Sequence, residues 1–185
     1  MLNCSKITQA APFYKPMPKV SQEQHQLACI HEAAHAIMFH VMGYHVIKAT
    51  ALLPEERARR DLGETAYIDE PADDLQSTER MAIAICAGYV AEMIFFYCVE
   101  RFDGEDIIQL CNRDGGYEAG YAHHICDHTA DDLFETVIFK ARRYLQSTSI
   151  ANAVHQLAAL LHRTGEANYG QIASIARRNG AAPLF

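Results

Sequence analysis

The sequence has no tryptophan, no C-x-x-C pair and no block of basic residues. Its six cysteines are scattered, which argues against a zinc knuckle or a compact disulfide framework and favours a reducing compartment. The 16 Lys and Arg are outnumbered by 23 Asp and Glu, giving a formal charge of −7. Because nucleic-acid binding usually needs a basic footprint, we expect a protein that binds no nucleic acid. The reducing compartment that the cysteines favour leads us to expect a cytoplasmic location.

A long uncharged run is also missing, although residues 81–99, "MAIAICAGYVAEMIFFYCV", come close to one. The run has nearly the length of a membrane span, but Glu92 lies within it. An ionised carboxylate is costly in lipid, so we predict a buried helix in a protein core and no stable membrane span.

The first twenty residues lack a continuous apolar stretch of signal-peptide length and are interrupted by Pro12, Pro16 and Pro18. They are predicted to form an extended N-terminal arm. Half of the 185 residues are apolar, which is enough for one core and short for two. We therefore expect a single domain over residues 21–180.

The pattern of apolar and helix-ending residues predicts a mainly α protein with a small β-sheet, of the α+β class. Ser21 and Gln24 have the spacing of a capping box, and Gly43 is suited to end the helix that they start, which gives a helix over 21–42. Strands are predicted at 45–53 and 63–69. Further helices are predicted at 77–98, from about 106, and at 130–146, 148–163 and 168–178.

The stretch "ACIHEAAHAIMFH", residues 28–40, contains the motif H-E-x-x-H in an apolar helical setting. His31 and His35 are four residues apart, so they share one helix face and can bind one metal ion. Glu32 is rotated by about 100° from His31, near a water on the metal. This is the arrangement of zinc-assisted hydrolysis with Glu32 as catalytic base. The alternative is a buried histidine pair bonded to backbone, which the cost of burying three polar side chains makes the weaker interpretation.

A catalytic zinc commonly has three protein ligands and a water, so two histidines require one more donor. The sequence offers Glu92, Asp103 and Asp106. Glu92 could ligate the metal directly or hold a ligating imidazole from behind.

A second polar cluster, "YEAGYAHHICDH" at 117–128, contains His123, His124, Cys126 and His128. Its H-H-x-C-x-H order is interpreted as lacking a regular helical ligand spacing, so a solvated face is favoured over a second metal site. Tyr117 or Tyr121 is a candidate oxyanion donor by residue type alone.

Several segments in order resemble the zinc peptidase domain of the FtsH family of ATP-dependent proteases. They are "HEAAHAIMFHVMGYHVIKATALLP", "LGETAYI", "AICAGYVAEMIF", "DGEDIIQL" and "LAALLHRTGEANYGQIASI", within residues 25–178. The resemblance implies a zincin-like helical fold, zinc held by His31, His35 and a distant aspartate, and Glu32 as base. In "DGEDIIQL" that aspartate corresponds to Asp106. It also implies a small sheet that aligns an extended peptide near the metal.

The sequence departs from the family in three motifs and in one domain. Ala34 replaces a usual glycine, Tyr89 stands where arginine is common, and residues 54–56 are Pro-Glu-Glu instead of Pro-Arg-Gly. No G-x-x-x-x-G-K-[ST] phosphate loop is present in the sequence. We therefore expect a zinc metallopeptidase acting on unfolded or flexible polypeptides without its own ATPase, with a separate ATPase partner and homo-oligomerisation left open. The alternative is a non-catalytic binding or regulatory protein that retains the fold.

Overall fold

The computed structural model describes residues 21–51, 63–68, 75–114, 116–130 and 132–184. The predicted arm at residues 1–20 and the Pro-Glu-Glu loop at 54–56 lie outside the described residues.

Helix α1, Gln22–Val41, begins with the capping box predicted from the sequence. The Gln24 backbone N–H donates to Ser21 Oγ at 3.2 Å, and the Ser21 N–H donates to Gln24 Oε1 at 2.9 Å. The helix is followed by Gly43 with φ of 89°, a left-handed conformation that glycine adopts without a steric penalty. Both ends of the predicted helix at 21–42 are thus confirmed.

A three-stranded antiparallel sheet lies beside α1. Strand β1, His45–Ala51, pairs with β2, Gly63–Ile68, on one side and with β3, Glu166–Asn168, on the other. The order β2-β1-β3 makes β2 an edge strand within the described residues. The first two strands confirm the predictions over residues 45–51 and 63–68, while the predicted ends at 52–53 and 69 lie outside the described residues. Strand β3 was not predicted.

The remaining helices follow the predicted order with two differences. Residues 118–127 form an additional helix within the cluster at 117–128, and the second long helix changes at Glu92 into a π-helix instead of continuing to residue 98. The elements are α2 Leu75–Ala91, the π-helix Glu92–Phe96, α3 Gly104–Asp114, α4 Glu118–Asp127, α5 Leu133–Leu145, α6 Thr148–Thr164 and α7 Tyr169–Arg178.

Helix α1 lies at the centre of the hydrophobic core and contacts α2, α6 and β1. Most of its apolar side chains are buried, and those of Ile37 and Met38 are fully so. Residues 82–92 of the long apolar segment are also buried, as predicted for a core helix. Within the described ranges, no helix has both the length and the apolar character needed to cross a membrane. The mainly α architecture with a small sheet confirms the predicted α+β class.

Candidate metal centre

His31 and His35 of α1 point their Nε2 atoms at each other across 2.9 Å. The ring centroids are 4.6 Å apart with an interplanar angle of 73°. Zinc–imidazole bonds are about 2.0–2.1 Å long, which separates two nitrogens on one tetrahedral zinc by about 3.4 Å. The 2.9 Å separation of the two Nε2 atoms is shorter than that value, and a small rotation of the side chains closes the difference.

The opposite nitrogen of each ring is held by an acceptor. His35 Nδ1 lies 2.9 Å from the Ala84 carbonyl oxygen, which can only accept, so this nitrogen carries the hydrogen. His31 Nδ1 lies 2.6 Å from Glu92 Oε1. In the neutral tautomers fixed by these partners, both Nε2 atoms present lone pairs. Two lone pairs at 2.9 Å repel unless a proton or a metal ion is shared between them.

Glu92 is placed behind His31 at the first residue of the π-helix. Its carboxylate is buried, with Oε1 on His31 and Oε2 lacking a hydrogen-bond partner among the described residues. A carboxylate in this position fixes the ring orientation and raises the basicity of the ligating nitrogen. Of the two roles that the sequence left open for Glu92, the geometry favours support of His31 over direct ligation.

The two histidines have opposite electrostatic environments. Burial lowers the pKa of His31, but the hydrogen bond with Glu92 and the charge of Glu32 raise it more, so the net direction is upward. Burial, followed by the effect of His31, lowers the pKa of His35 to about 3. His35 is therefore neutral near physiological pH, as a metal ligand must be.

Glu32 lies beside the pair with its carboxylate bound by the edge strand. Thr65 Oγ1 of β2 donates to Glu32 Oε2 at 2.9 Å and also approaches the Glu32 carbonyl oxygen at 3.2 Å. Burial raises the pKa of Glu32, while His31 and the Thr65 hydrogen bond lower it, and the net direction is upward. A carboxylate with a raised pKa is better matched to accepting and returning a proton near neutral pH.

Gly88 of α2 lies against both ring nitrogens, a role that its place in the segment "AICAGYVAEMIF" does not predict. A Cβ at this position would be 2.5 Å from Nε2 of His31 and 2.5 Å from Nε2 of His35. Only a glycine leaves both rings in place, because a methyl carbon at that distance overlaps them. The signal in the sequence is a glycine inside a buried helix, where its low helix propensity needs a packing reason.

Replacing Gly88 with Ala is expected to weaken zinc binding by roughly 10- to 100-fold, as displacement of groups around metal ligands commonly does. The matched control is Gly120→Ala, also in a helix, where a Cβ would meet nothing within 4 Å. That change is expected to leave zinc affinity unchanged. Competition with a chromogenic chelator measures both, and equal affinities in the two variants would contradict the role assigned to Gly88.

The structure does not join Asp106 to the histidine pair. Asp103 and Asp106 form a reciprocal cap at the start of α3: the Asp106 N–H donates to Asp103 Oδ1, and the Asp103 N–H donates to Asp106 Oδ2, both at 3.1 Å. Both side chains are exposed. In the part of the chain that the structure describes, no three His, Cys, Asp or Glu side chains are arranged to hold a metal ion. Asp106 as third ligand stays a prediction.

Two further residues surround His31. The ring of Tyr89 meets the His31 ring edge-on with centroids 4.7 Å apart, in the position where the sequence departs from the FtsH motif. Glu118, at the start of α4, is near enough for its charge to raise the pKa of His31 and of Glu32. No sequence pattern indicates Glu118, because its approach to α1 depends on how α4 packs.

Tyr117 and Tyr121 are 78% and 51% exposed, and their predicted role as oxyanion donors stays untested.

In comparisons with known proteins, no protein-family model matches this chain, and no curated protein matches it.

Proposed function

We propose that this chain is a zinc-dependent metallopeptidase that hydrolyses peptide bonds in unfolded or flexible polypeptides, with a zincin-like fold related to the FtsH peptidase domain. The observation that carries the proposal is the convergence of His31 Nε2 and His35 Nε2, each with its Nδ1 held by an acceptor. A buried pair that served only to fill the core would not need two lone pairs directed at one point.

The residues at this point fit a zinc ion. His31 and His35 would hold it through Nε2, and Glu92 and the Ala84 carbonyl keep both rings in the required tautomer. When bound, zinc supplies a Lewis acid that polarises a peptide carbonyl and makes water an effective nucleophile near neutral pH. Glu32 takes the proton of the attacking water and delivers it to the leaving amine. Thr65 orients the Glu32 carboxylate for both transfers.

The edge strand β2 offers a place for an extended substrate. Its Thr65 contacts Glu32, and within the described residues β2 is paired only with β1. A polypeptide that adds to the open side of β2 would run past the catalytic carboxylate with its backbone hydrogen-bonded to the strand. This mode selects extended backbone, which folded domains do not present, and therefore favours unfolded substrates.

No phosphate-binding loop is present in the sequence, so we assign no ATP-driven unfolding to this chain. A separate ATPase would be needed to deliver folded proteins. We place the activity in the cytoplasm, where the free cysteines stay reduced. Assembly into a homo-oligomer is compatible with this proposal but is not required by it.

The zinc-loaded chain is expected to cleave an unfolded protein and to leave the same protein intact when it is folded, with no response to ATP. A small disulfide-bonded protein, tested in its native form and after reduction and alkylation, provides the matched pair of substrates. Cleavage is followed by mass spectrometry, with and without ATP, and a chelator-treated sample is the control. The physical reason is that only extended backbone can reach β2 and the metal.

Two outcomes would contradict this expectation. ATP-stimulated cleavage of the native substrate by the pure chain would mean that the chain contains or recruits an unfolding activity. Failure to cleave either substrate despite one zinc per chain would favour the non-catalytic binding protein. The exposed Asp106, whose carboxylate accepts the Asp103 N–H hydrogen bond, agrees with that alternative.

A further inference from the structure

A second pair of histidines lies at the C-terminal end of helix α4. His124 is inside α4, and His128 is its C-cap with right-handed helical geometry. The His128 N–H approaches the His124 carbonyl oxygen at 3.3 Å, so the helical register continues through both residues. The interpretation that this cluster lacks a regular helical ligand spacing is therefore wrong for His124 and His128, which are four residues apart on one face.

The geometry of this pair resembles that of the pair on α1. The ring centroids of His124 and His128 are 4.2 Å apart with an interplanar angle of 54°. The corresponding values for His31 and His35 are 4.6 Å and 73°. Two imidazoles at this separation can place one nitrogen each on a common ion, because exposed rings turn freely about their side-chain bonds.

The neighbouring residues of the cluster are engaged elsewhere. His123 Nδ1 lies 3.2 Å from Asp127 Oδ2, and its ring packs edge-on against Phe134 with centroids 4.8 Å apart. Cys126 is fully buried in the core. Both His124 and His128 are exposed, and among the described residues their rings make no hydrogen bond or ion pair. The pair is thus open to solvent and to metal ions.

We propose that His124 and His128 form a second metal site, which takes a divalent transition ion such as Zn²⁺, Ni²⁺ or Cu²⁺. Imidazole nitrogens suit these ions, whereas Mg²⁺ and Ca²⁺ prefer oxygen ligands. The protein supplies two ligands, and water completes the coordination. An exposed site with two protein ligands binds exchangeably, unlike the buried pair on α1.

The test is calorimetric titration with Ni²⁺ alone at pH 7.5, on the chain loaded with one equivalent of Zn²⁺ for the pair on α1 and freed of excess zinc. The wild-type chain is expected to bind one further ion. His124→Ala and His128→Ala should each weaken this binding at least about tenfold, because a single imidazole lacks the gain from a second tethered ligand. His123→Ala is the matched control on the same helix and should bind as the wild type does. All three positions are exposed or half-exposed, so the variants are expected to fold.

A register variant tests the spacing itself. The double change His128→Ala with Thr129→His keeps the number of histidines but places the second one five residues after His124, well away from its face. This variant should bind Ni²⁺ no better than His128→Ala. Equal affinity of His124→Ala and the wild type, an equal loss in His123→Ala, or full binding by the register variant would each overturn the assignment. These outcomes compare variants that all keep His31 and His35, so the differences between them report on the second site and need no peptidase activity.

Discussion

Replacing Glu32 with Gln is expected to leave zinc binding near the wild-type level and to lower peptide hydrolysis by about 10²- to 10⁴-fold, the usual contribution of a positioned general base. The amide has the same shape and still accepts the hydrogen bond from Thr65 Oγ1, but it cannot take a proton. Metal content per chain and the initial rate on the reduced, alkylated substrate are the two measurements. Because Glu32 is not a proposed ligand, only the rate should change.

Glu64→Gln is the matched control, since Glu64 is an exposed carboxylate on β2 next to Thr65. It removes the same charge close to the site without touching the proposed base, and its rate should remain near that of the wild type. Equal rates for the Glu32 and Glu64 variants would remove Glu32 from the mechanism. Loss of zinc in Glu32→Gln would instead show that this side chain supports the metal.

Local sequence signals were sufficient to predict α1 and the placement of three site residues on it. The Ser21–Gln24 capping box and Gly43 define the helix ends through hydrogen bonds and backbone conformations that depend on a few adjacent residues. Once the helix is known, the four-residue spacing places His31 and His35 on one face, because helical geometry is fixed. The expectation that these rings converge is met by the 2.9 Å separation.

Features that depend on packing between distant segments could not be predicted in the same way. Gly88 faces the two histidines because α2 packs against α1 at that residue. The residues next to Gly88 in the sequence do not predict this contact. Strand β3 has three residues, too few for an alternating pattern, and exists because β1 leaves an edge to pair with. The π-helix likewise begins at Glu92, whose carboxylate contacts His31 from a distant part of the sequence, and single π-turns of this kind often occur at functional sites.

Helix α4 was not predicted because its sequence gives a weak local signal. Gly116 and Gly120 interrupt the apolar pattern, and polar or aromatic residues fill much of the exposed face. The helix is stabilised by Ala119, Ala122 and Cys126, three small side chains that are buried. Exposure of His124 and His128 agrees with the predicted solvated face, whereas Cys126 of the same cluster is buried, and the shared face of the two histidines follows only once the segment is known to be a helix.

Replacing Asp106 with Asn is expected to release zinc about as readily as His35→Ala, whereas Asp103→Asn should retain it. Asparagine keeps the oxygen that accepts the N–H hydrogen bond of the reciprocal cap, so the change removes the anionic ligand and preserves the start of α3. For Asp106 to reach the metal, its carboxylate must leave the Asp103 N–H. A cap contributes about 0.5–2 kcal/mol, and zinc binding to structural sites is worth about 10–16 kcal/mol. Loss of the cap is therefore small beside the free energy of zinc binding as a whole.

Glu92→Gln tests the remaining alternative, in which Glu92 is the third metal ligand. The amide can still contact His31 Nδ1 but no longer carries the charge that strengthens this ligand. As a group behind the ligand, Glu92 should affect zinc affinity by roughly 10- to 100-fold without abolishing binding. Dialysis of all four variants against a graded series of weak chelators ranks their zinc retention. Retention by Asp106→Asn together with complete loss in Glu92→Gln would reverse the assignment. The centre would then have two histidines and one glutamate as ligands, and the hydrogen bonds between Asp103 and Asp106 at the start of α3 would stay formed when zinc binds.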